Sequence, residues 1–171
     1  GFSEYVNFVK RVWQSTRATL YVVAPDVFSN WRKTRENYLK YARDLRRFGH
    51  LIYVAQEFVL PRDVDADVIA LPAHRQGPYE CSRHPLFCAF NVKWFLEERY
   101  NGEAPVHLLG PAKLELLHLK MWGTLSKIRS IDTATYRRAP TRRAKEMLGG
   151  KWQVVKGLEC AWFQEWTRGL I

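Results

Sequence analysis

Three polar residues stand out because each follows a short apolar run at a point where chemistry could be carried out. These residues are Asp26, Gln56 and Asp132. A glutamine amide offers both a donor and an acceptor, and a carboxylate accepts hydrogen bonds, so this set suits a heterocycle with ring N–H and carbonyl groups. An aspartate at a strand end can also act as the nucleophile of glycosyl transfer. The simpler alternative, that Asp26 and Asp132 cap the helices that follow them, stays open.

The elements that position these residues are predicted by a regular alternation of apolar runs and helical patterns. Buried strands are predicted at Leu20–Ala24, Leu51–Ala55, Asp67–Leu71, Val106–Leu109 and Lys127–Ile131. Helices are predicted at Phe2–Arg17, from a cap at Ser29 or Asn30 to Arg47, and at Pro85–Tyr100, Ala112–Trp122, Arg137–Leu148 and Leu158–Arg168. In the fourth of these, Leu114, Leu117 and Met121 are expected to face inward.

Short buried strands that alternate with helices indicate parallel βα units, so the predicted fold class is α/β. Two architectures remain open: a partial or reduced TIM-like barrel, and an open doubly wound sheet. In both, function gathers at the carboxyl ends of the strands, where Gly110 would also let a ligand approach the backbone closely. The 171 residues are expected to form a single domain, 1–171.

The charge balance points to an anionic partner. Lys and Arg number 27 against 17 Asp and Glu, which gives a net charge of +10. Such an excess suits nucleic acid, with a merely basic soluble surface as the alternative. Apolar residues make up 47% of the chain, but no run approaches the length of a membrane span, so no membrane partner is expected. The three cysteines do not suggest a disulfide framework, and a cytoplasmic location is expected.

Two basic stretches are candidates for phosphate contacts. One, with seven cations between Arg32 and Arg47, lies along the second predicted helix and has a solvated face as its alternative. The other, Arg137, Arg138, Arg142 and Arg143, follows Asp132 directly. Arginine forks suit phosphate oxygens, so this second cluster is the more suggestive of the two.

Four short motifs, in order, resemble a known family. They are Val22-Val23-Ala24-Pro25-Asp26, Val54-Ala55-Gln56, His107-Leu108-Leu109-Gly110 and Ser130-Ile131-Asp132. The pattern resembles the later strands of the queuine and archaeosine tRNA-ribosyltransferase barrel and its 7-deazaguanine DNA-modifying relatives. The resemblance covers roughly residues 20–143.

The resemblance implies a base-exchange transglycosylase that acts on guanine or 7-deazaguanine in tRNA or DNA. Asp26 and Gln56 would then contact the purine or 7-deazapurine base, and Asp132 would be the nucleophile. The arginines after Asp132 would lie near phosphate. No cofactor is implied, and neither is an oligomeric state.

The chain also departs from that family. Glu57 stands where the family has glycine, the early Asp-Ser-Gly-Gly-Phe-Gln base motif is not in this sequence, and the family's zinc cluster is missing. Zinc at Cys81, His84 and Cys88 is disfavoured because a structural site normally needs a fourth ligand, so no metal is expected. A non-catalytic nucleic-acid-binding module with the same fold therefore remains the alternative to an enzyme.

Overall fold

The computed structural model describes residues 2–16, 19–72, 85–111 and 113–132. Within these residues the chain alternates helices and strands: α1 (Phe2–Thr16), β1 (Leu20–Val23), α2 (Trp31–Leu45), β2 (Gly49–Val54), β3 (Val68–Pro72), α3 (Pro85–Trp94), β4 (Val106–Leu109), α4 (Lys113–Met121) and β5 (Ile128–Asp132). Short 3-10 turns follow β2 at Gln56–Phe58 and precede β5 at Thr124–Lys127, and a π-helical segment, Phe95–Arg99, extends α3. The two helices predicted after residue 136 lie outside the described residues.

The five strands form one parallel sheet, which confirms the α/β class and the parallel βα units. Each strand pairs with the next along the chain, so the order is β1-β2-β3-β4-β5. Strand order therefore follows chain order from one side of the sheet to the other. Because all strands run the same way, their carboxyl ends share one edge.

The central strand is buried along its whole length. All five residues of β3 are buried, as expected for a parallel strand covered on both faces. Alternate residues of β1 to β4 belong to the hydrophobic core, and helices α1 to α4 contribute residues to the same core. The core contains Val9, Val22, Tyr38, Leu45, Leu51, Tyr53, Ile69, Leu71, Val92, Phe95, Val106, Leu108, Leu116 and Leu119, among others.

Helix α4 turns a different face to the core from the one that the sequence predicts. Leu114 and Met121 are 47% and 77% exposed, whereas Leu116 and Leu119 are fully buried. The expected inward stripe was therefore wrong. Leucines occupy both sides of this short helix, so their spacing alone does not decide which side meets the sheet.

The ends of α2 are fixed by specific polar contacts. The Asn30 side chain accepts a hydrogen bond from the Lys33 backbone N–H at 3.0 Å, which confirms one of the two predicted caps. At the other end, Arg46 pairs with Asp67 at 3.1 Å, and the Asp67 carboxylate also accepts from the Leu51 N–H at 2.7 Å. These contacts tie the helix to the loop before β3.

Two further observations bear on the sequence expectations. None of the helices in the described residues is long and apolar enough to cross a bilayer. Cys88 is buried and disulfide-bonded, which the odd number of cysteines did not predict.

Candidate functional site

The structure brings Asp26 and Gln56 into direct contact. The Gln56 amide nitrogen donates to a carboxylate oxygen of Asp26 at 2.6 Å. Strands β1 and β2 are neighbours and Val23 pairs with Ile52, so the residues just past both carboxyl ends lie side by side. The two strand-end residues therefore form one polar pair on the expected edge of the sheet.

Gln56 is held from both sides. Its side chain is only 2% exposed, and its carbonyl oxygen accepts the backbone N–H of Ser29 at 3.0 Å. The amide thus links the β1–α2 loop to the turn after β2. Because the oxygen accepts from the Ser29 N–H, the amide nitrogen is turned to Asp26 and donates to its exposed carboxylate.

Backbone strain concentrates at this pair. Three non-glycine residues among those described have a positive φ: Ser29 at 54°, Glu57 at 55° and Phe58 at 56°. All three flank the Asp26–Gln56 contact. Residues held in such sparsely populated regions cluster at binding and catalytic sites, where the surrounding structure keeps them in place. Glu57 adopts the left-handed conformation that glycine favours.

A groove of about 540 Å³ opens beside Asp26, between α1 and α2. It lies within the size range of small-molecule sites. Aromatic rings form much of its wall, and its polar groups are a carboxylate, an amide and two phenols. The lining residues are Phe2, Tyr5, Val23, Ala24, Pro25, Asp26, Asn37 and Tyr41.

The groove wall is organised by Tyr5. Its hydroxyl donates to the Val23 backbone oxygen at 2.7 Å, so α1 is joined to the end of β1. Burial, and then the negative charge of Asp26, raise the pKa of Tyr5, so the phenol stays neutral. Phe2 and Tyr41 stack with ring centroids 3.3 Å apart and close the other side. The groove therefore presents flat apolar walls and one fixed negative charge.

Asp132 and Gly110 lie on the same edge of the sheet, but on other strands. Asp132 is the last residue of β5, where it pairs with Leu109, and Gly110 follows β4 with a φ of 63°. Strand β5 lies at the far side of the sheet from β1, with three strands between them. The assignments of Asp132 as nucleophile and of Gly110 as a substrate-binding residue stay predictions.

One contact near Asp132 was missed by the sequence analysis. His107 Nδ1 and Ser130 Oγ lie 2.8 Å apart on the paired strands β4 and β5. Ser130 and Asp132 are two residues apart on one strand, so they belong to the same face of the sheet. The signal was the His107-Leu108-Leu109-Gly110 motif, which contains this histidine.

The remaining predicted site residues lie outside the described part of the chain. These are Arg137, Arg138, Arg142 and Arg143, together with Cys81 and His84. Among the described residues, no group of three or more His, Cys, Asp or Glu side chains is arranged to hold a metal ion.

Comparisons with family models, with curated proteins and with solved structures find no match to this chain.

Proposed function

We propose that the protein recognises a guanine-type base of nucleic acid at Asp26 and exchanges it for a 7-deazapurine through Asp132. The observation that carries the proposal is the Asp26 carboxylate, fixed by the buried Gln56 amide beside an aromatic groove. The N1–H and exocyclic amine of guanine are adjacent donors, and an oriented carboxylate accepts both. The chain-order parallel sheet supports a partial barrel of the resembling family. In such a barrel the strand ends surround one site, so Asp26 and Asp132 would border it from different strands.

In this proposal Gln56 is a positioning residue. Both polar atoms of its side chain are engaged, by Asp26 and by the Ser29 N–H. Its role is to hold the carboxylate in the orientation that meets the base. Pre-organisation of this kind raises affinity because less freedom is lost on binding.

The chemical step is a retaining glycosyl transfer. A carboxylate oxygen of Asp132 attacks the anomeric carbon, the bond from that carbon to guanine breaks, and guanine leaves with the electron pair and takes up a proton. The product is a glycosyl ester on the protein. A deazapurine ring nitrogen then attacks the same carbon, loses its proton and restores the carboxylate.

The test is exchange of labelled guanine into tRNA and into DNA, with a search for an adduct that survives denaturation. Asp132→Asn should abolish exchange and adduct while base binding persists. Asp26→Ala should weaken base binding by about 1–3 kcal/mol, because the N–H donors of the bound base would be left unpaired. Glu103→Gln, an exposed change near the opposite edge of the sheet, is the control and should leave both unchanged. If the wild-type protein gives neither exchange nor adduct, the proposed enzymatic activity is contradicted.

A non-catalytic nucleic-acid-binding module is the second candidate, favoured by the absence of the early base motif and by the charge of +10. It predicts binding that weakens steeply with salt and no adduct. Replacing Arg142 and Arg143 together by Ala should reduce the slope of log affinity against log salt concentration by about one to two. Binding that ignores salt would argue against this module.

A further inference from the structure

The solvent-facing side of α2 and of the turn after it is strongly cationic. Its exposed cations are Arg32, Lys33, Lys40, Arg43 and Arg47, here named the α2 cationic face. Two acidic residues, Glu36 and Asp44, are exposed on the same helix. The helix contributes Thr34, Tyr38 and Leu45 to the interior, and by helical spacing the cations lie on the opposite side.

These cations differ from the other two arginines of the segment. Arg35 pairs with Asp63, and Arg46 pairs with Asp65 and Asp67, so both are neutralised by the loop before β3. None of the five residues of the α2 cationic face forms an ion pair within the described part of the chain. Their charge is therefore available to a partner.

The α2 cationic face begins beside the candidate base site. Helix α2 starts at Trp31, directly after the loop that holds Asp26 and Ser29. The same loop carries Phe28, a large aromatic side chain that is 65% exposed. From Arg32 to Arg47 the face extends over about 22 Å at the helical rise per residue.

We infer that the α2 cationic face binds the phosphate backbone of the nucleic acid next to the base held at Asp26, with Phe28 stacking on a neighbouring base. The inference rests on the proposed function and names the surface that serves it. Proteins that act on a base take it out of the stack, so the flanking strand needs its own contacts. A cationic track with an aromatic platform is the usual arrangement for an unpaired strand. An anionic lipid surface is the less favoured partner because its headgroups offer no base for Asp26 or Phe28 to contact.

The experiment measures binding of the full chain to a single-stranded oligonucleotide of mixed sequence over a range of salt concentrations. The quadruple variant Arg32→Gln, Lys33→Gln, Arg43→Gln and Arg47→Gln should lower the slope of log affinity against log salt by about two to three, at roughly 0.7 per lost contact. Lys40 is kept because it lies over the ring of Tyr41, which lines the groove. All four replaced side chains are exposed, and circular dichroism checks the fold.

A charge-matched variant provides the control. Lys10→Gln, Arg11→Gln, Arg62→Gln and Arg129→Gln together reduce the net charge by the same four units on other surfaces. This variant should change the slope by less than half as much. Phe28→Ala should weaken binding about tenfold or more without changing the slope, since stacking releases no counterions.

The possible failures are distinguishable. If the wild type binds the oligonucleotide but the two quadruple variants have equal slopes, the α2 cationic face is not the phosphate site, and the proposed function is untouched. If the wild type binds no oligonucleotide at low salt, both proposals fail. Binding to vesicles of anionic phospholipid that the α2 variant loses, with no loss of oligonucleotide binding, would assign the face to a lipid surface instead.

Discussion

The side chain of Tyr53 shows how one buried polar atom affects stability. Its ring is fully buried, and its hydroxyl has no hydrogen-bond partner among the described residues. Burial raises the pKa of Tyr53 to about 12, with Arg35 opposing the shift. In the unfolded chain the phenol ionises near its ordinary pKa of 10.0. The contribution of Tyr53 to the free energy of unfolding is therefore fully present below pH 10 and is lost as the pH rises towards 12.

We expect Tyr53→Phe to unfold at a higher alkaline pH than the wild type. The change removes both the ionisable group and an unpaired buried hydroxyl, so stability at neutral pH should be unchanged or higher by about 1 kcal/mol. Denaturant unfolding at a series of pH values measures this. Tyr21→Phe, at a tyrosine that is 65% exposed, is the control. An alkaline transition that does not move would show that Tyr53 ionises without penalty.

The protein should be more stable with glycine in place of Ser29. Its φ of 54° is costly for a residue with a Cβ atom, and its backbone N–H keeps the bond to Gln56 in the variant. We expect Ser29→Gly to raise the free energy of unfolding by about 0.5–1 kcal/mol. Ser15→Gly, the same change inside α1, should instead lower it. Destabilisation by both changes would mean that Ser29 is not strained.

At the scale of the elements, the start of the β1–β2 pairing depends on a residue without a side chain. Gly49 pairs with Leu20 and has a φ of 157°. A Cβ atom there would lie 2.0 Å from the Leu20 backbone oxygen, so the two strands could not keep their register. This close approach sets the spacing of β1 and β2 where their pairing begins.

We expect Gly49→Ala to destabilise the protein by about 1–3 kcal/mol or more, as overpacking does. Gly123→Ala is the matched control: Gly123 also has a positive φ, of 71°, but no described atom lies within 4 Å of the position that the new methyl group would take. Gly123→Ala should lower the free energy of unfolding by only about 1–2 kcal/mol, which is the cost of the left-handed backbone conformation for a residue with a Cβ atom. Thermal unfolding compares the two, and equal losses would contradict the close approach of the strands.

At the scale of the whole molecule, acid lowers stability in two ways: it raises the net positive charge and it weakens local ion pairs. Burial opposes the ionisation of Asp67, but the Leu51 N–H, Arg46 and His50 outweigh it and lower the pKa of Asp67. The hydrogen bond from Arg35 likewise lowers the pKa of Asp63. The stability that these carboxylates contribute is present above their ordinary pKa and is lost as the pH falls through the lower folded value.

Acid unfolding should therefore depend on salt. As carboxylates are protonated, the charge rises above +10 and the folded chain repels itself. We expect the acid midpoint, followed by circular dichroism, to move to lower pH when salt is raised to about 0.3 M, because screening weakens this repulsion. Asp67→Asn should move it to higher pH at low salt. A midpoint that salt shifts upward would indicate that ion pairs, not net repulsion, dominate.

Much of this architecture follows from the sequence alone. The apolar runs that predict β1 to β4 are short and consist largely of branched and aromatic residues, which favour strands. The cap at Asn30 is equally local, because its side chain bonds to a backbone group three residues away. The sequence also placed Asp26, Gln56 and Asp132 at strand ends, since that position is a property of each element by itself.

Only the tertiary structure decided how those ends meet. The side of α4 that is buried depended on the packing of its neighbours, because leucines lie on both of its faces. The Gln56–Asp26 bond, the strain at Ser29 and Glu57, and the groove under Tyr5 join residues far apart in the chain. Their separation is set by the pairing and register of the strands, which are relations between elements. A residue pattern within one element carries no information about distances between elements. The sequence therefore predicts which residues lie at the strand ends, but not which of them are in contact.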